Sequence, residues 1–587
     1  MHFLGTCLAT IAALGLVRAA RVELDWVVGY TTANPDGLFE RQVIGINGEW
    51  PPKQVEATLN DVLVINIHNE LNEPTALHAH GMFQNNTNYM DGPSMVTQCP
   101  IPAGMNFTYE FTITQTGTYW MHSHYGGQYA DGFKMALILH NPAEPYKYDE
   151  DITVPISDWY HDQSGNNLKI FMNENNPTGA EPVPESGLIM DNVNSSLTFV
   201  PGKTYRLRLI NMSAFSMFYF SIDGHDMDVI ETDGIYTQRT TVKSLYLTAA
   251  QRISVLVTAK NATNLNYYMH ADMNTDMFDT ISDSLQTNLT APIYYDKSVT
   301  EFAPSEDVGM GSDFDDIVIP PLEVMAAVPA EQQLNLTFEF QVYTDGINRG
   351  AFNNIPYIAP KVPILNTLMT MGNLSHEVDV YGRHSVPYIL DHLNMIEVIL
   401  NNADSGDHPF HLHGHVFQIV ARGPGIYDGT NENITWYLDN PNRRDTVAVP
   451  AESFTIIRFR ADNPGIWIFH CHIEWHLETG LAAIFVEAPD IAQQRMTLPQ
   501  AFNDLCEAGN IPYSGNAAGK QGLDLKGAPS GVDILIDGFT ASGKGAMAGC
   551  ILSALLGIGA IVWFAHSDPE ARGREIIAAK MREEQED

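Results

Sequence analysis

Short runs in which apolar and polar residues alternate recur along most of the chain. DVLVINIHN (61–69) is typical of the first part, KTYRLRLINM (203–212) of the middle and MIEVILNN (395–402) of the last part. A period of two is typical of half-buried β-strands, and the Gly, Pro and Asn residues between the runs are typical of turns. The pattern therefore predicts an all-β chain built from β-sandwiches.

Breaks in this pattern predict the domain boundaries. PAEPYKYDED (142–151) is typical of a linker, and an acid- and Pro-rich segment (301–321) precedes the third β-rich block. Residues 501–544 are rich in Gly, Ala, Ser and Asp and indicate a tail and stalk. We predict three sandwich domains over 20–143, 144–300 and 301–500, the last including the acidic linker.

Two longer apolar segments lie near the ends of the chain. Residues 1–19 end in Val17-Arg18-Ala19, which a signal peptidase can recognise, and predict a signal peptide; a buried N-terminal element is the alternative. Residues 545–565 carry no charge and are about long enough to cross a hydrocarbon core of ~30 Å; a buried core helix is the alternative. The charged residues 566–587 follow, which argues against a GPI signal and predicts a cytoplasmic tail after a single transmembrane helix.

N-glycosylation sequons recur along the chain, and with the signal-like segment they predict an exported, glycosylated ectodomain. They begin at Asn85, Asn106, Asn194, Asn211, Asn261, Asn288, Asn335, Asn373 and Asn433.

Charge and cysteine content narrow the function further. The 31 Lys and Arg against 70 Asp and Glu give a formal charge of -39, which repels phosphate backbones, so we expect no nucleic-acid partner. Of five cysteines, Cys7 lies in the signal segment, Cys550 in the apolar span and Cys471 in a histidine-rich run. Cys99 and Cys506 remain, and we predict that they form a disulfide.

Histidines cluster in four short stretches: LHAHG (77–81), WMHSH (120–124), HPFHLHGH (408–415) and HCHIEWH (470–476). In an extended strand residues i and i+2 point to the same face, so each HxH pair can chelate a metal ion. One such pair arises easily by chance and is then a surface or core feature. Four clusters in one chain indicate a metal centre.

Cys471 indicates that the metal is copper. A thiolate with two imidazoles and no fourth strong ligand is the trigonal blue-copper arrangement, which His408, Cys471 and His476 supply, whereas zinc prefers a tetrahedral site. A weak axial Met often follows in such sites, but the tenth residue after Cys471 is Leu481, which predicts a raised potential. Neighbours along a strand face opposite ways, so His470 and His472 are expected to bind other copper ions behind Cys471.

At these motifs the chain resembles the multicopper oxidases over essentially the whole ectodomain. The resemblance implies three cupredoxin-like Greek-key domains and four copper ions that pass four electrons to dioxygen. It implies a type 1 copper at His408, Cys471 and His476, a type 2 copper at His78 and His411, and a type 3 pair at His80, His122, His124, His413, His470 and His472.

Three further residues lie beside the copper motifs. The resemblance makes Asp91 and Glu474 candidates for proton delivery, the alternative being salt bridges or hydrogen-bonded loop acids. His415 matches no ligand position, and we interpret it as a residue that supports the ligands from behind or as a structural one.

Multicopper oxidases differ in their reductant, which is a phenol for laccases, ascorbate for ascorbate oxidases and Fe(II) for ferroxidases. The single-pass anchor resembles the fungal iron-uptake ferroxidases, which work beside an iron permease. The resemblance places their acidic iron site on Glu181, Asp279 and Asp404, and hard carboxylates favour Fe(III). Solvated loop acids are the alternative for each of them.

Two other stretches bear on iron. Arg349 stands where yeast-type members have an aromatic residue, and its charge would be unfavourable if it pointed into the iron site. The acidic loop with Asp313, Asp315 and Asp316 resembles a region proposed to pass Fe(III) to the permease; a solvated charge run is the alternative.

We therefore predict a membrane-anchored ferroxidase that uses Fe(II) and dioxygen, beside an iron permease. The predicted location is the cell membrane with an extracellular ectodomain, and a vacuolar membrane is the alternative. A tethered laccase-like oxidase of phenols or pigment precursors is the rival function. A non-enzymatic copper-binding or receptor protein is a further rival, but the complete ligand set argues against it.

Overall fold

The computed structural model describes residues 19–261, 264–305, 308, 314–430, 434–535, 541–567 and 569–586. The predicted signal segment apart from Ala19, the sequon at Asn433 and the loop acid Asp313 lie outside these residues. The chain divides into two units between Ile534 and Leu535, and each is described by itself.

The first sandwich has two four-stranded sheets, and in strands such as Asn106–Thr112 every second residue is buried, as the alternation predicts. Its strands are β1 (Arg21–Ala33), β2 (Arg41–Ile46), β3 (Val55–Thr58), β4 (Val62–Asn69), β5 (Leu77–His80), β6 (Asn106–Thr112), β7 (Gly117–Ser123) and β8 (Lys134–His140). The sheet orders are β2-β1-β4-β6 and β3-β8-β7-β5.

The second sandwich pairs a six-stranded sheet with a five-stranded one. Its elements are β9 (Glu150–Trp159), α1 (Ser164–Phe171), β10 (Ser186–Ile189), β11 (Leu197–Thr198), β12 (Thr204–Asn211), β13 (Met217–Ile222), β14 (Met227–Thr232), β15 (Ile235–Val242), β16 (Ser244–Leu247), β17 (Arg252–Thr258), β18 (Tyr267–Asn274) and β19 (Asn288–Tyr294). The sheet orders are β10-β9-β12-β17-β14-β15 and β11-β19-β18-β13-β16.

The third sandwich has the same six-plus-five arrangement. Its elements are β20 (Gln332–Val342), β21 (Asn348–Phe352), α2 (Ile364–Thr370), β22 (Pro387–Leu390), β23 (Met395–Asn402), β24 (His408–Leu412), β25 (Phe417–Pro424), β26 (Arg443–Arg444), β27 (Thr446–Val449), β28 (Ser453–Arg460), β29 (Gly465–Cys471), α3 (Glu474–Thr479), β30 (Ala482–Glu487) and α4 (Pro489–Arg495). The sheet orders are β21-β20-β23-β28-β25-β26 and β22-β30-β29-β24-β27. Three two-sheet sandwiches confirm the all-β fold prediction.

The sequon at Asn211 differs from the others because it lies inside the second sandwich. Asn211 ends β12 with no exposed surface, and its amide donates hydrogen bonds to the carbonyls of Ser216 (2.9 Å) and Leu247 (3.1 Å). The other seven described sequon asparagines are exposed. The folded protein therefore presents no acceptor at Asn211.

The segment after the third sandwich, predicted to be a tail and stalk, begins as packed structure. Helix α5 (Gln500–Ala508) inserts Phe502 and Leu505 into the core of the first sandwich, and Cys506 forms the predicted disulfide with Cys99 at 2.09 Å. Further along, the backbone amide of Ala517 donates to the carbonyl of Val380. The disulfide prediction is confirmed, and the chain as far as Ile534 belongs to the first unit.

The second unit contains two helices, α6 (Ala541–His566) and α7 (Pro569–Glu583). Within α6, Ser542–His566 has a mean hydropathy of 2.2 over its most apolar window and is long enough to cross a bilayer. The predicted span 545–565 lies inside this helix, and α7 is charged and exposed. Helix α6 is consistent with a membrane anchor.

Candidate metal centre

The cysteine site is formed by β24, β29 and α3 of the third sandwich. Cys471 Sγ lies 3.5 Å from Nδ1 of His476 and 3.8 Å from Nδ1 of His408, and the two nitrogens are 3.2 Å apart. All three side chains are buried, and so is Leu481, whose carbonyl accepts from the amide of Cys471. The structure thus brings together the three predicted type 1 ligands.

The hydrogen bonds of the two histidines leave their facing nitrogens as acceptors. His408 donates from Nε2 to Asp404 (3.0 Å), and His476 donates from Nε2 to Glu181 (2.8 Å). The Nδ1 of each ring then carries a lone pair that faces the lone pair of the other ring and the thiol. These lone pairs repel each other, and a cation bound between them would remove the repulsion. Burial raises the pKa of the Cys471 thiol, so the thiolate forms when a metal displaces its proton.

The other eight predicted ligands lie between the first and third sandwiches. Strands β5 and β7 are paired with His78 opposite His122, and β24 and β29 are paired with His411 opposite His470. Groups of three whose ligand atoms lie within 4.8 Å include His78 with His411 and His413, His78 with His80 and His122, and His124 with His413 and His470. His472 completes the set, with its ring 5.1 Å from that of His80.

Free imidazole nitrogens in this cluster fit a copper centre. Seven buried ring nitrogens have no hydrogen-bond partner among the described residues: Nε2 of His78, Nδ1 of His80, Nε2 of His122, His124 and His411, and both nitrogens of His472. The opposite nitrogen is engaged in several rings, for example His411 Nδ1 with the Asp445 carbonyl (2.9 Å). Nε2 of His413 and Nε2 of His470 face each other at 3.2 Å. Several convergent, otherwise unsatisfied nitrogens are the donor set of a multinuclear imidazole site.

Burial also keeps these imidazoles in the neutral, ligating form. Desolvation, followed by the neighbouring rings, lowers the pKa of His470 to about 3. The same two causes hold the pKa of His80, His122, His124, His413 and His472 well below the ordinary value for histidine. Neutral imidazole is the form that binds transition metals.

Cys471 joins the two groups of ligands, as the strand alternation predicts. His470 donates from Nδ1 to the backbone carbonyl of Cys471 (2.9 Å). The residue that carries the thiol is therefore connected to the histidine cluster by this hydrogen bond as well as by the peptide bond.

The two candidate proton carriers differ in their surroundings. Asp91 is buried between two ligands: His413 donates to its Oδ2 (2.9 Å) and His78 to its backbone carbonyl (2.7 Å). Burial and the nearby Glu478 raise the pKa of Glu474 well above its ordinary range. Tyr129, which bonds Glu474, packs edge-on against His122 with the ring centroids 5.0 Å apart. A carboxyl group that stays protonated at neutral pH can donate a proton.

His415 has a structural environment, as predicted. It donates from Nδ1 to the carbonyl of His413 (3.0 Å), and its Nε2 lies 2.9 Å from the carboxylate of Glu487.

The three predicted iron-site acids line one surface cavity of about 270 Å³. Glu181, Asp279 and Asp404 contribute to its wall, together with Phe340. Burial would raise the pKa of Asp404, but the hydrogen bonds that it accepts from His408 and from the backbone amide of Gly406 lower it to about 2. Asp276, which the sequence reasoning missed, lines the same cavity three residues before Asp279. The cavity combines anionic oxygen ligands with direct hydrogen bonds to the rings beside Cys471.

Arg349 and the acidic loop have specific partners. Both terminal nitrogens of Arg349 lie 2.8 Å from the carboxylate of Asp345, so its charge is compensated, and the described residues that line the cavity do not include it. Asp316 is buried against Arg422 and Arg444, at 2.9 and 2.7 Å, so it is not a solvated loop acid. Asp315 is 54% exposed.

The sequence reasoning also missed Asp445, which contacts His80 and His411. Its stretch RRDT lies 365 residues from His80 in the chain and carries no local metal-binding signal.

Comparisons with known proteins agree with this geometry. Sequence models of the multicopper oxidase family match residues 27–144, 150–298 and 357–490. The iron transport multicopper oxidase fetC of Epichloe festucae is 43% identical, over 98% of this chain and 94% of that protein. The iron transport multicopper oxidase fio1 of Schizosaccharomyces pombe is 42% identical, over 91% of this chain and 87% of that protein.

Solved structures show the same fold. The crystal structure of Fet3p, described as a multicopper oxidase that functions in iron import, superposes with a TM-score of 0.84 at 37% identity, over 87% of this chain and 98% of that one. A laccase from Botrytis aclada superposes with a TM-score of 0.74 at 29% identity, over 84% of this chain and 92% of that one.

Proposed function

The chain belongs to the multicopper oxidase family, and we propose that it is a membrane-anchored ferroxidase of iron import. It oxidises Fe(II) to Fe(III) and reduces dioxygen to water. The observation that carries this function is the 270 Å³ cavity, in which Glu181 and Asp404 both line the wall and bond the two histidines beside Cys471. A cavity walled by carboxylates suits a hard metal cation better than an aromatic phenol.

The copper ligands follow the residues that the structure brings together. His408, Cys471 and His476 hold the type 1 copper, and His78 and His411 hold the type 2 copper. Four copper ions bound by these residues would supply one-electron steps that together deliver four electrons to dioxygen. The type 3 pair is held by His80, His122, His124, His413, His470 and His472.

In the iron cavity, the carboxylates both bind and orient the substrate. Glu181, Asp279 and Asp404 supply anionic oxygens, which stabilise Fe(III) more than Fe(II) and so favour loss of an electron. The hydrogen bonds that His476 donates to Glu181 and that His408 donates to Asp404 give two short routes from the cavity to the buried rings.

On the dioxygen side, one acid serves proton transfer and a second acid orients a copper ligand. Burial raises the pKa of Glu474 well above its ordinary range, which suits a proton donor beside the cluster, whereas Asp91 accepts from His413 and orients that ring.

Fe(II)-dependent oxygen consumption by the copper-loaded, full-length protein tests this function. We expect an Fe(II) specificity constant well above that for phenols on the same preparation. A preference for phenols would favour the laccase-like alternative, and no oxygen uptake with either donor would favour a non-enzymatic copper-binding role.

The same proposal includes a location and a partner. Helix α6 anchors a type I protein in the cell membrane, with the sandwiches and their exposed sequons outside and α7 in the cytosol; a vacuolar membrane is the alternative. An iron permease in the same membrane receives Fe(III). Co-purification of a permease with the full-length protein, lost on truncation before Ala541, tests this association.

A further inference from the structure

Asp445 lies between two of the cluster histidines and contacts both. Its Oδ1 is 3.1 Å from Nε2 of His80 and 3.4 Å from Nδ1 of His411, and its backbone carbonyl accepts from the same Nδ1 at 2.9 Å. The two rings stack with their centroids 3.7 Å apart. Asp445 is fully buried, so water does not compete for these contacts. One carboxylate therefore orients a ring from the first sandwich and a ring from the third.

Asp91 makes a similar arrangement with the other stacked pair. It contacts His78 and His413, whose ring centroids are 4.0 Å apart. In both pairs one histidine belongs to the proposed type 2 site and the other to the proposed type 3 pair. Each of the two stacked histidine pairs is therefore contacted by its own buried aspartate.

The two aspartates differ in what holds them. Among the described residues the ion-pair partners of Asp91 are the two histidines alone. Asp445 is gripped by Arg252, whose Nη1 and Nη2 lie 2.8 and 2.5 Å from its two carboxylate oxygens. Thr446 adds a hydroxyl hydrogen bond of 2.8 Å to Oδ1. Both oxygens of Asp445 are thus occupied, which suits a fixed anion.

Arg252 is itself fixed by a buried row of alternating charges. Its backbone amide donates to Asp233 (2.8 Å), and Arg444 bonds Asp233 (2.8 Å) and Asp316 (2.7 Å). The side chains of Arg252, Asp233 and Arg444 have no exposed surface. Such a row restricts the movement of each member, because a shift by one leaves a buried charge unpaired.

We propose that Asp445, held by Arg252, is a positioning residue that sets the orientation of His80 and His411 together. The inference rests on the copper assignment in the proposed function. Partners behind a ligating histidine fix its tautomer and ring angle, and their loss costs roughly 10- to 100-fold in metal affinity. The type 2 set has two histidines, so Asp445 governs chiefly the retention of that copper.

The test is copper retention by the full-length protein carrying Asp445→Asn. The loaded variant is dialysed against a graded chelator, then copper is counted and the type 2 signal is measured by electron paramagnetic resonance. We expect type 2 copper to be lost at roughly 10- to 100-fold lower chelator strength than in the wild type, with the blue absorption of the Cys471 site unchanged.

A second variant and a control keep the test decisive if Asp445→Asn folds poorly. Arg252→Lys keeps the positive charge but loses the bidentate hydrogen bonding to the Asp445 carboxylate. It is also expected to weaken retention of the type 2 copper. Glu397→Gln removes a carboxylate from a comparable ion pair, with Arg458 at 2.7 Å, away from the cluster, and is expected to retain all copper.

Unchanged type 2 retention in both variants would overturn the proposal. So would equal loss of the blue and type 2 signals, because that would indicate general loosening. Neither readout uses iron, so failure of the ferroxidase proposal appears separately, as absent Fe(II)-dependent oxygen uptake by the wild type.

Discussion

Glu181 accepts a hydrogen bond of 2.8 Å from Nε2 of His476, although 295 positions separate the two residues in the chain. Glu181 comes from a loop of the second sandwich and His476 from α3 of the third. The contact therefore exists only when both sandwiches have folded and packed. It joins an acid on the cavity wall to a ring whose other nitrogen lies 3.5 Å from the Cys471 thiol.

Replacing both Glu181 and Asp404 with Ala is expected to lower Fe(II) turnover by about 100-fold or more. Each substitution removes an anionic ligand of the substrate iron, and a contact to a charged group contributes about 1.5 kcal/mol or more, which is roughly 10-fold. Organic donors such as phenylenediamines do not need carboxylate ligands and are expected to be spared. Steady-state oxygen uptake with each donor measures the loss of Fe(II) turnover relative to the loss of organic-donor turnover. Asp283→Ala, an exposed acid downstream of Asp279, is the control. Equal loss with both donors would contradict the iron-site assignment.

Asp404→Asn is expected to raise the KM for Fe(II) by the same factor from pH 7 down to about pH 4. The pKa of Asp404 is lowered to about 2, because the hydrogen bonds from His408 and from the amide of Gly406 outweigh burial. The carboxylate is then ionised throughout this range, and any stability it contributes is lost only as the pH falls towards that pKa. A factor that shrinks as the medium is acidified would show that Asp404 titrates in this range.

Glu474→Gln is expected to slow turnover with Fe(II) and with organic donors alike, by about 10²- to 10⁴-fold. The reason is that burial keeps Glu474 protonated for use on the dioxygen side, whichever donor supplies the electrons. Copper content and the blue absorption should stay at wild-type levels. Selective loss of Fe(II) activity would place Glu474 in the donor site instead.

Leu481→Met is expected to lower the potential of the type 1 site, because a thioether in the axial position donates to copper where Leu does not. The exchange conserves volume, so it should cost less than about 1.5 kcal/mol of folding free energy. Redox titration of the blue absorption gives the potential, and thermal unfolding gives the stability. An unchanged potential would show that residue 481 does not face the metal.

Removing the disulfide with Cys99→Ala and Cys506→Ala is expected to cost about 2–5 kcal/mol of stability. The bond fastens α5 to the core of the first sandwich across a sequence separation of 407. Calorimetry should show a lower Tm, with normal copper spectra at low temperature. Cys550→Ala, a free cysteine on α6, serves as the control and should not shift the Tm of the sandwiches.

Much of the fold and the metal centre is predictable from sequence. Side chains along a strand alternate with a period of two, so the two histidines of an HxH pair on a strand must point to the same face. Asp445 and Arg252 are different, since their role arises from packing between sandwiches and no local spacing marks them. The same holds for Asp316, which looks like a loop acid until Arg422 and Arg444 surround it. For Arg349 the deciding neighbour, Asp345, is near in sequence, but only the structure shows the pairing.

The burial of Asn211 makes a glycan on this residue incompatible with the folded second sandwich. A glycan is bulky and belongs at the protein surface, whereas Asn211 is enclosed within the second sandwich. A glycan attached there would keep the amide from its bonds to Ser216 and Leu247 and hold the strand out of its sheet. The pairing of β12 with β17 and β9 in the folded protein therefore requires an unmodified Asn211.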